Sequence, residues 1–251
     1  GLIESEKFKL LGAISQREIF IDPNPDIKKS YAERKRLFES KEGGWAHYDT
    51  SIISKGGGIY KRNDKQIELS EEIQKLLKIT ETTLSGEELC KKLLTLDVDL
   101  LFNGGVGTYV KASDENNLDL GDKQNEAVRV NANELRAKIV SEGGNLGFTQ
   151  KARIEYALNG GRINQDAIDN SGGVNTSDHE VNLKILLNVI KNEGLLNEQQ
   201  AKDTLQSLTQ DVVGLVLKSS YDQACVISID EEFSKKYPND YIKVIETLEN
   251  E

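Results

Sequence analysis

Three apolar runs in this chain stop on glycine. "VDLLF" at 98–102 is followed at once by "NGGVG", "KIVS" at 138–141 by "EGGNLG", and a weaker strand-like run near "GRINQDAI" at 161–168 by "DNSGG". Thirteen of the 21 glycines gather in five clusters; the other two are "GGG" at 56–58 and "GG" at 160–161. Helical patterns separate the runs: 26–39, "LSEEIQKLLKI" at 69–79, a helix up to about 95 behind a Ser85/Glu88 capping box, a polar stretch at 121–136, and 149–158. Residues 2–14 also read as helix, and "REIFID" at 17–22 as a strand that ends on the proline turn "DPNPD". Strands alternating with helices pack as a parallel sheet with helices on both faces. The expected fold is therefore α/β, a Rossmann-like doubly wound and mostly parallel sheet. From Ser177 onward Val181, Ile185 and Val189, then Val212, Leu215 and Val216, keep a helical period. A sheet domain over 1–176 and a C-terminal helical region over 177–251 follow.

In an open parallel sheet the ligand lies outside the carboxyl ends of the strands, where glycine lets backbone N–H groups approach a phosphate-bearing molecule. Taken singly, each glycine pair is equally a turn that needs positive φ. Three in the same relative place point to a dinucleotide. Such a sheet carries an acid at the end of its second strand, about 20 residues past the glycine fingerprint, to hold ribose hydroxyls. Asp22 ends "REIFID", with a helix between it and Gly1, so Gly1 reads as the last glycine of a fingerprint whose first strand precedes the sequence. An Asp before Pro is also an ordinary turn starter. No G-x-x-x-x-G-K-[ST] loop occurs, which argues against a nucleoside triphosphatase.

Lys and Arg total 32 against 42 Asp and Glu, a net charge of −10, so nucleic acid is not an expected partner. Cys90 and Cys225 lack C-x-x-C spacing and lie near neither His47 nor His179, so no disulfide framework or metal site is expected. A reducing, cytoplasmic setting fits. No uninterrupted apolar run approaches 18 residues, so a soluble chain with no membrane partner is expected. The chain has no methionine, opens on Gly1 and closes within the helix-like "DYIKVIETLENE", which predicts a piece of a longer polypeptide.

Longer stretches carry a family likeness. "IFIDPNPD", "YAERKRLFE", "SIISKGGGIY", "DLLFNGGVGTYVKAS" and "ELRAKIVSEGGNLGFTQKARIEYALNGGRINQDAIDNSGGVNTSDHEVNLKILL" together resemble the large NAD-specific bacterial glutamate dehydrogenases, over about residues 1–190 and more loosely beyond. The resemblance implies oxidative deamination of L-glutamate to 2-oxoglutarate and ammonia with hydride passing to NAD, in a parent polypeptide that forms homo-oligomers. It also implies that this chain is most of the NAD-binding domain plus following helices. "SEGGN" is similar to the "EGAN" strand end of the small hexameric glutamate dehydrogenases, which implies that Glu142, Gly143, Gly144 and Asn145 lie beside the cofactor, Asn145 near the nicotinamide ribose. "NSGGVNTS" is similar to their "NAGGVxxS": Asn170 would face nicotinamide and substrate, and Ser177 the distal carboxylate of glutamate. "FNGG" stands where another strand end meets the cofactor, making Asn103, Gly104 and Gly105 candidates. Asp22 would hold the adenosine ribose, and an acid there favours NAD over NADP.

Plainer readings stand beside these. Ser177 and Glu180 form a capping box for a helix beginning at Asp178, Asn170 starts the turn "DNSGG", Glu142 is a solvated strand end, and Asn145 is a residue tolerated in a left-handed turn. The sequon at Asn175 is accidental in a cytosolic chain, and His179 lies on a helix surface. Hydride-transfer deamination needs a general acid/base, commonly a lysine of lowered pKa with a carboxylate. In these families the motif for it lies in the other domain, and "SKGGG" with Lys55 sits in the wrong place to replace it. No catalytic residue is therefore assigned, and the isolated fragment is expected to be inactive. A dehydrogenase acting on an apolar amino acid, or a non-catalytic nucleotide-binding or regulatory module, remains as an alternative.

Overall fold

The computed structural model describes residues 5–40, 43–105 and 107–250, so Gly1 lies outside the described residues. In chain order the elements are β1 (Gly12–Ile14), β2 (Glu18–Ile21), α1 (Ile27–Glu39), β3 (Gly58–Lys61), β4 (Ile67–Glu68), α2 (Glu71–Leu77), β5 (Thr83–Leu84), α3 (Gly86–Leu94), β6 (Leu100–Asn103) and β7 (Val110–Lys111). Then follow β8 (Val130–Asn131), β9 (Ile139–Glu142), α4 (Gln150–Leu158), β10 (Arg162–Ile163), α5 (Asp166–Asp169), α6 (Ser171–Asn192), α7 (Glu198–Ser207), α8 (Thr209–Lys236) and α9 (Pro238–Glu249). The fold is Rossmann-like α/β with a C-terminal helical segment. It divides into two compact units. The first holds Gly1–Leu101, Gly107–Ile139 and Phe148–Arg162, the second Phe102–Val106, Val140–Gly147 and Ile163–Glu251.

In the first unit the β-branched run of β2 forms the centre of a three-stranded sheet, and Ile19, Phe20 and Ile21 are fully buried. Both neighbours run antiparallel to it, Gly12 opposite Ile21 and Glu18 opposite Lys61. This part of the fold departs from the expected parallel sheet, because only three residues join β1 to β2, far too few for a parallel crossover. The helix expected over 2–14 is likewise replaced, among the described residues, by irregular chain and β1. Trp45 stacks on Phe20 with ring centroids 4.5 Å apart, which accounts for that tryptophan as a lid on the β2 core.

The capping box expected of Ser85 and Glu88 is realised at the start of α3, and Asp26 caps α1 by accepting from the Lys28 and Lys29 amides. The stretch 121–136 is not a helix but short 3-10 turns around β8. Its buried apolar residues Val128, Val130 and Ala132 recur every second position, the period of an extended chain.

Cys90 lies in this core with Ile73 and Leu89, and burial pushes its thiol up to about 11. Cys225 is partly exposed. At pH 8 a thiol reagent should therefore label one cysteine in the folded chain and both in denaturant; rapid labelling of two thiols without denaturant would contradict the packing.

β6, β9 and β10 form a second sheet in the order β10-β9-β6. Lys138 N–H donates to Val98 O, Ile139 N–H to Asp99 O and Gly143 N–H to Asn103 O, a constant offset of 40 residues, so β6 and β9 run in the same direction.

The second unit carries α5 to α9. Helix α6 begins at Ser171, so the boundary expected between 176 and 177 falls inside it and the start expected at Asp178 is nearly two turns late. Leu187 and Val216 are buried, while Val181, Ile185, Val189, Leu217 and Ile245 are exposed. Helix α8 is, by length and composition, apolar enough to cross a membrane, and it is mostly exposed. A search for uninterrupted apolar runs misses it because the Lys218–Asp222 ion pair, one turn apart, lies in its middle.

Candidate functional site

The ends of β6 and β9 and the start of α6 all belong to the second unit, and they bring together most of the sequence candidates. Strand β9 ends on Glu142, fully buried rather than solvated, whose N–H donates to Asp169 Oδ2 at 3.1 Å. Gly143 N–H then donates to Asn103 O at 2.7 Å, the last rung between the two strands.

Beyond that rung the glycines have specific work. A Cβ on Gly143 would stand 2.8 Å from Phe102 Cζ. One on Gly144 would stand 3.0 Å from both the N and the C of Gly105, and closer still to its Cα. Gly147 would press its Cβ into the Asn103 side chain and within 3.0 Å of Glu142 Oε2. The two glycine loops are thus packed backbone against backbone. Gly104 and Gly105 differ: among the described residues no atom stands within 3.4 Å of a Cβ at either, so on that side the main chain is open to an approaching group.

Asn103 Oδ1 accepts the Gly105 N–H at 3.2 Å, turning the chain at the end of β6. Asn145 Oδ1 accepts from Asn170 Nδ2 at 2.7 Å. Asn170 is the residue before α6, yet its side chain makes no cap bond and is turned to Asn145 instead. The pair is exposed and leaves one amide donor group, on Asn145, and one amide acceptor, on Asn170, without hydrogen bonds among the described residues. The 22-residue helix α6 starts beside it, with the partial positive charge of its first turn. Ser171 Oγ, in that turn, is buried without a hydrogen-bond partner. Ser177 sits one turn and a half farther on, exposed, with its Oγ donating to Gly173 O at 3.1 Å, a bond of the helix interior rather than a cap.

Three residues that sequence reasoning passed over support this arrangement. Asp169 accepts from Glu142 N–H and, through Oδ1, from Asn164 Nδ2 at 3.0 Å. Asp166 Oδ2 accepts the Leu146 N–H at 2.8 Å. Leu146, not Asn145, takes the left-handed conformation, with φ of +55°. The signal for the two acids was their spacing of three in "QDAIDN", one face of a helical turn next to Asn170.

Asp22 belongs to the first unit. It is buried, and its Oδ1 accepts the N–H of Asn24 at 3.3 Å, the N–H of Ser54 at 3.2 Å and the Ser54 hydroxyl, closing the proline turn. Lys55 pairs with Glu72 at 2.8 Å, and that carboxylate raises its pKa. A lysine base needs the opposite shift, so the geometry also speaks against a catalytic Lys55. Among the described residues no group of three or more His, Cys, Asp and Glu side chains could hold a metal ion.

Glycine-lined ends of parallel strands beside a long helix start define a Rossmann-like α/β protein. A sequence profile for bacterial NAD-glutamate dehydrogenase, catalytic domain, matches residues 1–230, and the chain belongs to that family. It is 44% identical over 249 residues to the NAD-specific glutamate dehydrogenase of Halomonas elongata and 46% identical over 249 residues to that of Pseudomonas aeruginosa, each match covering 99% of this chain. To the enzyme of the same name from Mycobacterium tuberculosis it is 47% identical over 229 residues, 89% of this chain. The chain spans 14 to 15% of the length of these curated relatives.

Proposed function

We propose that this chain is the cofactor side of an NAD-dependent glutamate dehydrogenase, which oxidatively deaminates L-glutamate to 2-oxoglutarate and ammonia, as part of a longer cytoplasmic polypeptide. The family membership supports the class, and one observation of the site carries the reading: the Asn145–Asn170 pair. Its remaining donor and acceptor match the two hydrogen-bonding groups of a primary carboxamide such as that of nicotinamide, so the residues fit NAD. Bound NAD supplies the hydride acceptor. This chain's residues orient it: Asn145 and Asn170 at the carboxamide, and the open main chain at Gly104 and Gly105 along the cofactor. Ser177, exposed on α6, is the residue of this chain offered to the distal carboxylate of glutamate.

A donor set without an acid/base pair cannot move the α-amino acid's protons, so those residues come from outside this chain and the isolated 251 residues are inactive in this reading. In the full-length polypeptide carrying this sequence, Asn170→Ala should lower kcat/KM for NAD-dependent glutamate oxidation at least about tenfold, the scale of a lost hydrogen bond to a reacting group. Circular dichroism should be unchanged, since Asn170 does not cap α6 with its side chain. Unchanged turnover would remove the amide pair from the site, and glutamate-dependent NADH formation by the isolated chain would refute the missing acid/base.

A further inference from the structure

Leu146 is one of two non-glycine residues with positive φ among the described residues. The other, Lys78, follows the end of α2, where a left-handed residue is the ordinary way to stop a helix. Leu146 has no helix end to explain it. Its side chain is 61% exposed, so packing of the leucine does not impose the conformation either. A hydrogen bond acts on it: the Leu146 N–H donates to Asp166 Oδ2 at 2.8 Å. Asp166 is itself fixed at the start of α5, its Oδ1 accepting the Ala167 N–H at 3.0 Å. One turn later Asp169 holds the start of the same loop through Glu142 N–H. Between these two anchors lie Gly143, Gly144 and Asn145, and Asn145 meets Asn170, the residue after Asp169.

We infer that Asp166 is a positioning residue: by accepting the Leu146 amide it holds that residue left-handed and so turns Asn145 toward Asn170. A leucine released from this bond relaxes to negative φ, because its Cβ crowds the following carbonyl in the left-handed region. A change of that size in φ, one residue past Asn145, swings the asparagine off its partner. This inference rests on the reading of the Asn145–Asn170 pair as the cofactor contact. It adds that the pair is set by a carboxylate bonded to the Leu146 and Ala167 amides.

The test uses four variants of the full-length polypeptide, with KM for NAD and kcat measured at saturating glutamate. Asp166→Ala should raise KM for NAD by about tenfold, with kcat within about twofold, since the loss falls on cofactor binding. Asp166→Asn should fall between wild type and Asp166→Ala, within about threefold of wild type, because its single amide oxygen can accept from Leu146 while the bond to Ala167 is lost. Leu146→Gly should stay near wild type, glycine reaching positive φ at little cost. The double variant Asp166→Ala/Leu146→Gly should return KM to within about threefold of wild type, which loss of a general structural support would not do. Hydrogen exchange of the segment 143–147, followed without cofactor by mass spectrometry, should accelerate more in Asp166→Ala than in Asp166→Asn. Wild-type KM in Asp166→Ala, an Asn variant as impaired as the Ala variant, or a double variant no better than Asp166→Ala would each overturn the inference. If the wild-type polypeptide shows no NAD-dependent turnover, the proposed function fails; the exchange measurement still decides whether Asp166 holds the loop.

Discussion

Gly144→Ala should destabilise the second unit by about 3 kcal/mol or more, the upper range for forcing atoms into a filled space. The reason is what the new methyl would meet. It lands on the main chain of Gly105, 3.0 Å from N and C, and no side chain there can rotate away. Relief would require shifting the end of β6 or β9, and Gly143 N–H to Asn103 O at 2.7 Å ties the two together one residue earlier. Gly173→Ala supplies the control. It lies inside α6 with nothing within 4 Å of the added Cβ, so it should be neutral or stabilise by about 0.5 to 1 kcal/mol through lower chain entropy. Urea titrations followed by far-ultraviolet circular dichroism compare the two directly. An unchanged midpoint for Gly144→Ala would show that the loops are not in contact.

In the first unit, Arg129→Met should cost about 3 to 5 kcal/mol, the range for removing one member of a buried charged network. The guanidinium is wholly buried. Its Nε donates to Thr108 O at 2.9 Å, Nη1 to Asn117 Oδ1 at 3.1 Å and Nη2 to Asp122 O at 2.6 Å, and Nη2 lies 3.6 Å from Asp122 Oδ2. Methionine fills similar space and satisfies none of these acceptors. Lysine would keep the charge without the fork that reaches three groups, so it should rescue only part of the loss.

The same substitution should change the response to acid. Burial pushes the Asp122 carboxyl upward, but the Asn125 side-chain amide, the Thr108 and Asn125 N–H groups and the Arg129 charge outweigh it and hold the group below its ordinary value. A carboxylate whose pKa is lower folded than unfolded adds stability above the unfolded value of about 3.9, and that stability is lost as pH falls through the folded value. Wild type should therefore keep this contribution down to about pH 4. In Arg129→Met the folded value rises, and acid unfolding should begin at higher pH. Acid titration curves that superimpose after correction for the neutral-pH difference would exclude the linkage.

Much of the local structure was legible because it depends on neighbours in sequence. Asp26, Ser85 with Glu88, and Thr149 each cap the helix they precede, with an acceptor aimed at an amide two or three residues on. The strand ends at Asn103 and Glu142 were legible for the same reason, an apolar run meeting glycine. What failed depended on distant partners. Residues 12–14 form a strand only because β2 offers them hydrogen bonds. Residues 121–136 look polar and helical, but Arg129 turns inward to acceptors at positions 108 and 117 that no periodicity announces. Ser177 and Glu180 carry the letters of a capping box inside a continuous helix, whose true start was hidden by two glycines of poor helix propensity. At the candidate site, Asn145 and Asn170 were singled out through their likeness to known motifs. Asp166 and Asp169 were missed because carboxylates in a short polar turn look like solvated surface.

The fit of Gly144 against Gly105 also bears on how such a sequence can diverge. When a glycine is required because a side chain crowds it, a second substitution that trims the neighbour can restore the space. Here the obstructing residue is already glycine, so the amino-acid alphabet holds nothing smaller to put at 105. Compensation for a side chain at 144 must then come from a change in loop length that moves the main chain. Insertions and deletions, rather than paired substitutions, are the route by which this corner of the fold can accommodate anything larger.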